Sequence, residues 1–280
     1  MTPGFGGGAD LFAAAPLVSG ETGHGRAVQI VIRGRGRVGK TVFANALGQF
    51  FRAAGARLQI WCIDAQDRPD SLGHFFPDAK FPPNLQPIDC RRWLEGMIHD
   101  QKAEGYDVIL DVGTGHDAVI KKLRRDSDFP KTLEADGIRT ISAFVVGTDA
   151  GDLDAVRRHL EDETSLGEAV LIVLNEGIVG HGPLRRVFEA VRNDPVIRLA
   201  ETRGAVVVEM PELGCMRAVV KRRLTFQAAA DDRRLTRVDD PLSFFDQERV
   251  AIWWHRKLPD CFKTVPAEWM PRIPERVAVS

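Results

Sequence analysis

The sequence predicts an α/β domain: a doubly wound, mostly parallel sheet with helices on both faces. Three observations point there. Short runs rich in Val and Ile recur along the chain, helical stretches alternate with them, and a Gly-x-x-x-x-Gly-Lys-Thr loop at 34–41 stands between one such run and a helix. Runs that are apolar throughout, rather than alternating, suit strands buried on both faces.

Residues 1–25 are glycine-rich with little periodicity, and are expected to form a mobile tail. The first strand is Ala27-Val28-Gln29-Ile30-Val31-Ile32. A helix follows from Thr41 to about Ala54, on the spacing of Val42, Ala46, Leu47, Phe50 and Phe51, with Gly55 as its C-cap. Leu58–Ile63 is the second strand, and the proline-bearing stretch 65–88 a long ordered connection. A helix at about 90–104 leads to a strand at 107–110. Further strands are expected at 139–146, 169–174 and 205–208, with helices at about 152–163, 183–193 and 216–230. Ser243–Leu258 forms a last helix bearing Phe244, Phe245, Trp253 and Trp254, the two tryptophans being core residues by type. The expected organisation is thus a tail at 1–25, the main domain at 26–240 and an aromatic C-terminal helix with its tail at 241–280.

At 280 residues the chain can bury a full core. Its net charge of -1 steers nothing in particular, so nucleic acid would have to be met by a local basic patch. Cys62, Cys90, Cys215 and Cys261 are scattered, as expected of reduced thiols in a cytoplasmic protein. His74, His116, His159, His181 and His255 show no metal-ligand spacing. The apolar stretch Leu11–Val18 is short and broken by Pro16, unlike a signal peptide, and no run approaches the roughly 20 apolar residues of a membrane span.

The loop Gly34-Arg35-Gly36-Arg37-Val38-Gly39-Lys40-Thr41 carries the chemistry. Its backbone N–H groups, with those of the helix start at Val42, can surround the phosphates of a nucleotide with donors. Lys40 can reach the β- and γ-phosphates, and the Thr41 hydroxyl can ligate Mg²⁺. A chance match in a glycine-rich loop is the competing reading, and the flanking strand and helix weigh against it.

Arg35 to Thr41 resembles the deviant Walker A sequence, K-G-G-x-G-K-[ST], of the ParA/MinD family of ATPases. That resemblance implies ATP and Mg²⁺ as ligands and a nucleotide-driven homodimer in which the first lysine crosses to the partner's phosphates. Here Arg35 stands in place of that lysine and Arg37 in place of a glycine. Arginine keeps the charge and adds a fork, so Arg35 is expected to act across the dimer as an arginine finger does, or else to be a solvated loop cation. Asp64-Ala65-Gln66 matches the family's D-x-D: Asp64 would help organise Mg²⁺, and Gln66 would orient the attacking water without taking its proton, giving slow or partner-dependent hydrolysis. Tyr106–Gly115 resembles the Walker B strand and switch II, with Asp111 toward Mg²⁺ and Gly115 approaching the γ-phosphate. Asn175 matches the base-reading asparagine, and Pro211-Glu212-Leu213 the loop beside the base. The resemblance covers roughly 27–225.

Basic clusters occur at Lys121-Lys122, Arg124-Arg125, Arg185-Arg186, Lys221-Arg222-Arg223 and Arg233-Arg234. The family binds DNA non-specifically through such residues; solvated helix faces are the alternative, and the favoured one. A basic amphipathic C-terminal helix is missing, which argues against membrane anchoring. The short ParA-like ATPases of DNA partition, plasmid transfer or cargo positioning are the nearest look-alikes, implying a protein activator or cargo adaptor. Two alternatives stay open: a nucleotide-gated scaffold with little hydrolysis, and a small-molecule kinase or dethiobiotin-synthase-like ligase of the same fold, whose substrate loop would be 65–88.

Overall fold

A computed structural model describes residues 25–65, 71–127, 129–162, 165, 168–179, 184–231 and 242–274. Six strands form one sheet: β1 (Ala27–Arg33), β2 (Leu58–Ile63), β3 (Asp107–Val112), β4 (Ile138–Val146), β5 (Ala169–Asn175) and β6 (Val206–Met210). Their order is β2-β3-β1-β4-β5-β6, and every pairing is parallel. The P-loop strand β1 therefore lies at the centre, with β3 in register on one side (Ile32 opposite Asp111) and β4 on the other.

Alternate side chains of each strand enter different cores. On one face Val28, Ile30 and Ile32 join α1 (Lys40–Ala53) and the helices of the C-terminal half. On the opposite face two smaller clusters form. Ala27, Val31, Val108 and Leu110 pack with α2 (Pro87–Glu104), α3 (Asp117–Ser127) and α4 (Phe129–Ala135). Phe144, Ile172 and Leu174 pack with α5 (Asp154–Glu161), α6 (Leu184–Arg192) and α7 (Pro195–Thr202). Coverage of both faces is what the continuous apolar runs required.

Several elements differ from the sequence expectation. Helices α3, α4 and α7 lie outside the sequence expectation: α4 and α7 are only 7 and 8 residues long, and the apolar positions of α3 are interrupted by Lys and Arg. The helix expected at 216–230 is two, α8 (Met216–Lys221) and α9 (Phe226–Asp231), because Arg223 between them adopts φ 53°, which an α-helix cannot continue. The last helix is α10 (Phe244–Ile252), a π-helical turn at Trp253–Lys257, and α11 (Leu258–Phe262). Trp253 and Trp254 lie in the largest core, where Trp254 packs edge-on to Phe50 of α1 and against Phe226. The connection after β2 returns to the sheet: Lys80 exchanges backbone hydrogen bonds with Ile60 and Cys62, covering the outer edge of β2.

Candidate functional site

Parallel strands bring their carboxyl ends to one edge, and the sequence-predicted residues gather there. Gly34 leaves β1 with φ 140°, and a Cβ at this position would lie 2.5 Å from the Val145 carbonyl oxygen of β4. No side chain fits, so the loop can lie flat on the sheet only with glycine here. Gly39, the N-cap of α1, sits at φ 92° with no side-chain cap, so the first N–H groups of α1 are left to an anion. Arg37 holds φ 69°, the left-handed region that a glycine would occupy without strain.

The Lys40 ammonium folds back over this loop. It donates to the carbonyls of Gly34 (3.1 Å) and Arg35 (3.0 Å) and to Thr114 Oγ1 (3.3 Å). The Thr41 hydroxyl donates to Asp111 Oδ2 at 2.9 Å, joining the start of α1 to the end of β3. Two of the three residues predicted to serve Mg²⁺ thus meet, although 70 positions apart. Asp64 follows β2 beside Gly113: its Oδ1 accepts from Ala65 N at 2.8 Å, and Gly113 N donates to Ile63 O. Gly115 takes φ 93° with open space around its Cα. Gln66 lies outside the described residues.

On the other flank, Arg35 is exposed and pairs with Asp149 (3.0 Å) and, at 3.8 Å, Asp152. The Gly151 N–H, and then Arg35, hold the Asp149 carboxyl below its ordinary range. Asn175 is buried. Its Nδ2 donates to Val38 O at 2.8 Å and its Oδ1 accepts from Gly177 N at 3.0 Å, so here the amide supports the loop from behind. Glu212 N donates to Glu176 Oε2, and the Pro211 carbonyl accepts from Trp253 Nε1 at 2.8 Å, which ties the β6 end to the aromatic helix.

Sequence reasoning missed three partners. Thr114 could have been suspected from its place between two glycines of the switch-like loop. Arg33, the last residue before the P-loop, donates to Asp117 Oδ1 (3.0 Å) at the start of α3, and no motif marks that pair. Arg124, grouped by sequence with a basic surface cluster, is instead 2% exposed and paired with Glu168, whereas Lys121, Lys122 and Arg125 are exposed. Lys221 and Arg223 are exposed and Arg222 half-buried. The Arg185-Arg186 side chains and Arg233-Arg234 lie outside the described residues. Cys62 lies under the site, but burial, and then Asp111 and Asp64, push its thiol up, so it remains protonated and unreactive. No helix among the described residues is long and apolar enough to cross a membrane.

No family model and no curated protein matches the chain. Among solved structures it is similar to the septum site-determining protein MinD from Pyrococcus horikoshii OT3, complexed with Mg-ADP (TM-score 0.45, 15% identity, covering 82% of this chain and 95% of that one). It is also similar to the MinC:MinD complex of Aquifex aeolicus (TM-score 0.44, 14% identity, 78% and 99%). Chloroplast FtsY from Physcomitrella patens gives TM-score 0.45 and 16% identity over 68% of this chain, which spans 60% of that FtsY's length. The six-stranded parallel sheet, with its glycine-rich loop between the central strand and α1, is the α/β fold of a P-loop NTPase.

Proposed function

We propose that the chain is a Mg²⁺-dependent ATPase of ParA/MinD type, a nucleotide-driven homodimer that positions, partitions or transfers DNA or another cargo. The observation that carries the nucleotide site is the Thr41–Asp111 contact beside the uncapped start of α1. A hydroxyl and a carboxylate at that junction suit Mg²⁺, which takes few protein ligands and fills its shell with phosphate oxygens and water. Accordingly, among the described residues no group of three or more His, Cys, Asp or Glu could hold a metal by itself.

In this reading Gly34–Thr41 and Val42 hold the phosphates, Lys40 supplies the principal cation, and Thr41, Asp64 and Asp111 serve Mg²⁺. Gly115 approaches the γ-phosphate, Gln66 orients water, and Asn175 with Pro211 and Glu212 borders the base. Bound Mg²⁺ supplies charge neutralisation at the phosphates. The choice of ATP rests on the family resemblance of the loop. DNA contact through Lys221-Arg222-Arg223 is its further extension.

Calorimetry with ATP tests the site directly. Lys40→Ala should weaken binding by roughly 100-fold or more, since charge-assisted contacts to phosphate are the strong ones. Equal affinity in mutant and wild type would end the P-loop reading. Phosphate release, with and without DNA, then tests turnover: a basal rate below about 1 s⁻¹ is expected, at the slow end for enzymes. Gln66→Asp should raise that rate. Tight ATP binding with no turnover under either condition would favour the scaffold reading, for which Gln66 is the motivating residue.

A further inference from the structure

At the amino edge of the sheet, opposite the P-loop, a cavity of about 530 Å³ opens between the starts of β4 and β5 and the ends of α5 and α7, with α4 and Trp269 completing its wall. That volume is in the range of small-molecule sites, about 300–1,000 Å³. Its inner wall is a network of buried polar side chains. Arg124 Nη2 donates to Glu168 Oε2 (2.7 Å) and Ser142 Oγ (3.0 Å), and Nη1 to Ser165 Oγ (3.2 Å). His159 Nδ1 lies 3.2 Å from Arg124 Nη1 and 3.4 Å from Arg33 Nη1. Both arginine nitrogens are donors, so Nδ1 accepts and the ring proton sits on Nε2. Burial, and then the two arginines, keep this imidazole neutral.

The network is incomplete as it stands. Glu168 Oε1, His159 Nε2, Thr140 Oγ1 and Arg124 Nε are buried without a hydrogen-bond partner, and Glu168, His159 and Thr140 line the cavity. Each such group left unpaired costs about 1–3 kcal/mol, and folded proteins contain few of them. Three of them lining one cavity point to an occupant that completes their bonding. The unpaired atoms identify its class. Among the described lining residues Lys131, Arg139 and Arg203 are cations and Glu134, Asp162 and Glu168 acids, with Glu134 paired to Arg26 and Glu168 to Arg124, so neither sign dominates. Glu168 Oε1 needs a donor and the His159 Nε2–H an acceptor, and a molecule bearing an ammonium and a carboxylate close together supplies both.

We infer that this cavity binds a small zwitterion of the α-amino-acid class, its ammonium toward Glu168 and Thr140 and its carboxylate toward His159 and Arg139. The inference is independent of what the P-loop binds.

Saturation-transfer NMR on the full chain, with each of the twenty standard L-amino acids as probe and calorimetry on those that respond, tests this. At least one should bind with Kd at or below about 1 mM. Its N-acetyl and carboxamide derivatives, which each lack one charge, should fail to compete. Thr140→Val keeps the side-chain volume and should weaken binding by roughly 10-fold, the loss of one hydrogen bond. Arg139→Ala, at a half-buried position, should weaken it as well. Melting curves establish that each variant is folded, so these two serve even if Glu168→Gln is too unstable to use. No binding by any amino acid at about 10 mM would overturn the inference and leave water as the occupant. So would binding that both variants leave intact, or equal binding by the blocked derivatives.

Discussion

At the carboxyl edge of the sheet the Lys40 ammonium rests largely on backbone; at the amino edge buried charged side chains are held by one another. Lys40 rests on two loop carbonyls and a threonine, and the start of α1 presents uncapped N–H groups. These supports are dipoles that a phosphate can replace without stranding a charge. The cluster of Arg124, Glu168 and His159 is the reverse: each group depends on another ionised or polar side chain, and both members of the Arg124–Glu168 pair are nearly inaccessible to water. The first arrangement tolerates exchange of partners, as a ligand site needs. The second is a structural commitment, in which removal of one member strands the rest, so a ligand there must add to the network at its unpaired atoms and cannot replace a member.

The sharpest way to break this contrast is to remove Arg124. Burial, partly offset by Glu168, already draws the guanidinium down to about 10, and burial pushes the Glu168 carboxyl up, which shows how much water each has lost. Arg124→Met should cost about 3–5 kcal/mol in chemical denaturation, because Glu168 is left buried without its cation. The double variant Arg124→Met, Glu168→Leu should recover most of that loss, since an apolar pair replaces two desolvated charges. A double variant no more stable than Arg124→Met would show that the arginine acts by packing and not by charge.

A smaller effect should appear with pH. His159 titrates near 6.5 in the unfolded chain and is pushed down to about 2 in the fold by burial, then by Arg124 and Arg33, with Asp162 opposing. The unfolded state therefore takes up a proton that the folded state refuses. The stability this residue permits is complete above pH 6.5 and declines as pH falls toward 2, with a slope approaching about 1.4 kcal/mol per pH unit. Glu168, shifted upward, has the opposite sign: protonation favours the folded state, although Arg124 and Ser142 limit this. Urea titrations between pH 7.5 and 5 should show the decline, and His159→Gln, which keeps an acceptor for the arginines, should flatten it. A wild-type stability that does not fall over this window would mean that His159 is not desolvated as described.

This contrast also accounts for what was legible in the sequence. The residues that meet at the carboxyl edge fall in eight consecutive positions plus one aspartate at a strand end: the loop's spacing marks Lys40 and Thr41, and the resemblance to a Walker B strand marks Asp111. The strand and helix requirements of the loop fixed the parallel α/β class for the same reason. The buried cluster draws Arg124, Ser142, His159 and Glu168, with Arg33 reaching in from the carboxyl end of β1, from five separate segments. Nothing local marks them, and Arg124 among Lys121, Lys122 and Arg125 looks like one more surface cation. Side-chain partners at the site were equally hidden: Asn175 closes β5, and its amide bonds the backbone of Val38, a contact no motif specifies.

The smallest effect on stability, and the most telling comparison, belongs to the exposed ion pair of the P-loop. Arg35 and Asp149 approach to 3.0 Å, close to the Arg124–Glu168 separation of 2.7 Å, but their side chains are 58% and 66% exposed. In water such a pair gains little Coulomb energy, must order a long side chain, and is screened by salt. Arg35→Ala should therefore lower stability by less than about 1 kcal/mol, with no further loss when Asp149→Asn, which keeps the acceptor for Gly151 N–H, is added. Two ion pairs of similar separation would then differ several-fold in what their removal costs, through desolvation and the hydrogen bonds Arg124 makes to Ser142, Ser165 and His159. An arginine that contributes so little to its own fold is available to another molecule. If Arg35 acts across a nucleotide-bound dimer, Arg35→Ala should bind ATP and melt like wild type, yet remain monomeric by light scattering with a slowly hydrolysed ATP analogue. A variant that dimerises normally under those conditions would return Arg35 to the role of a solvated loop cation.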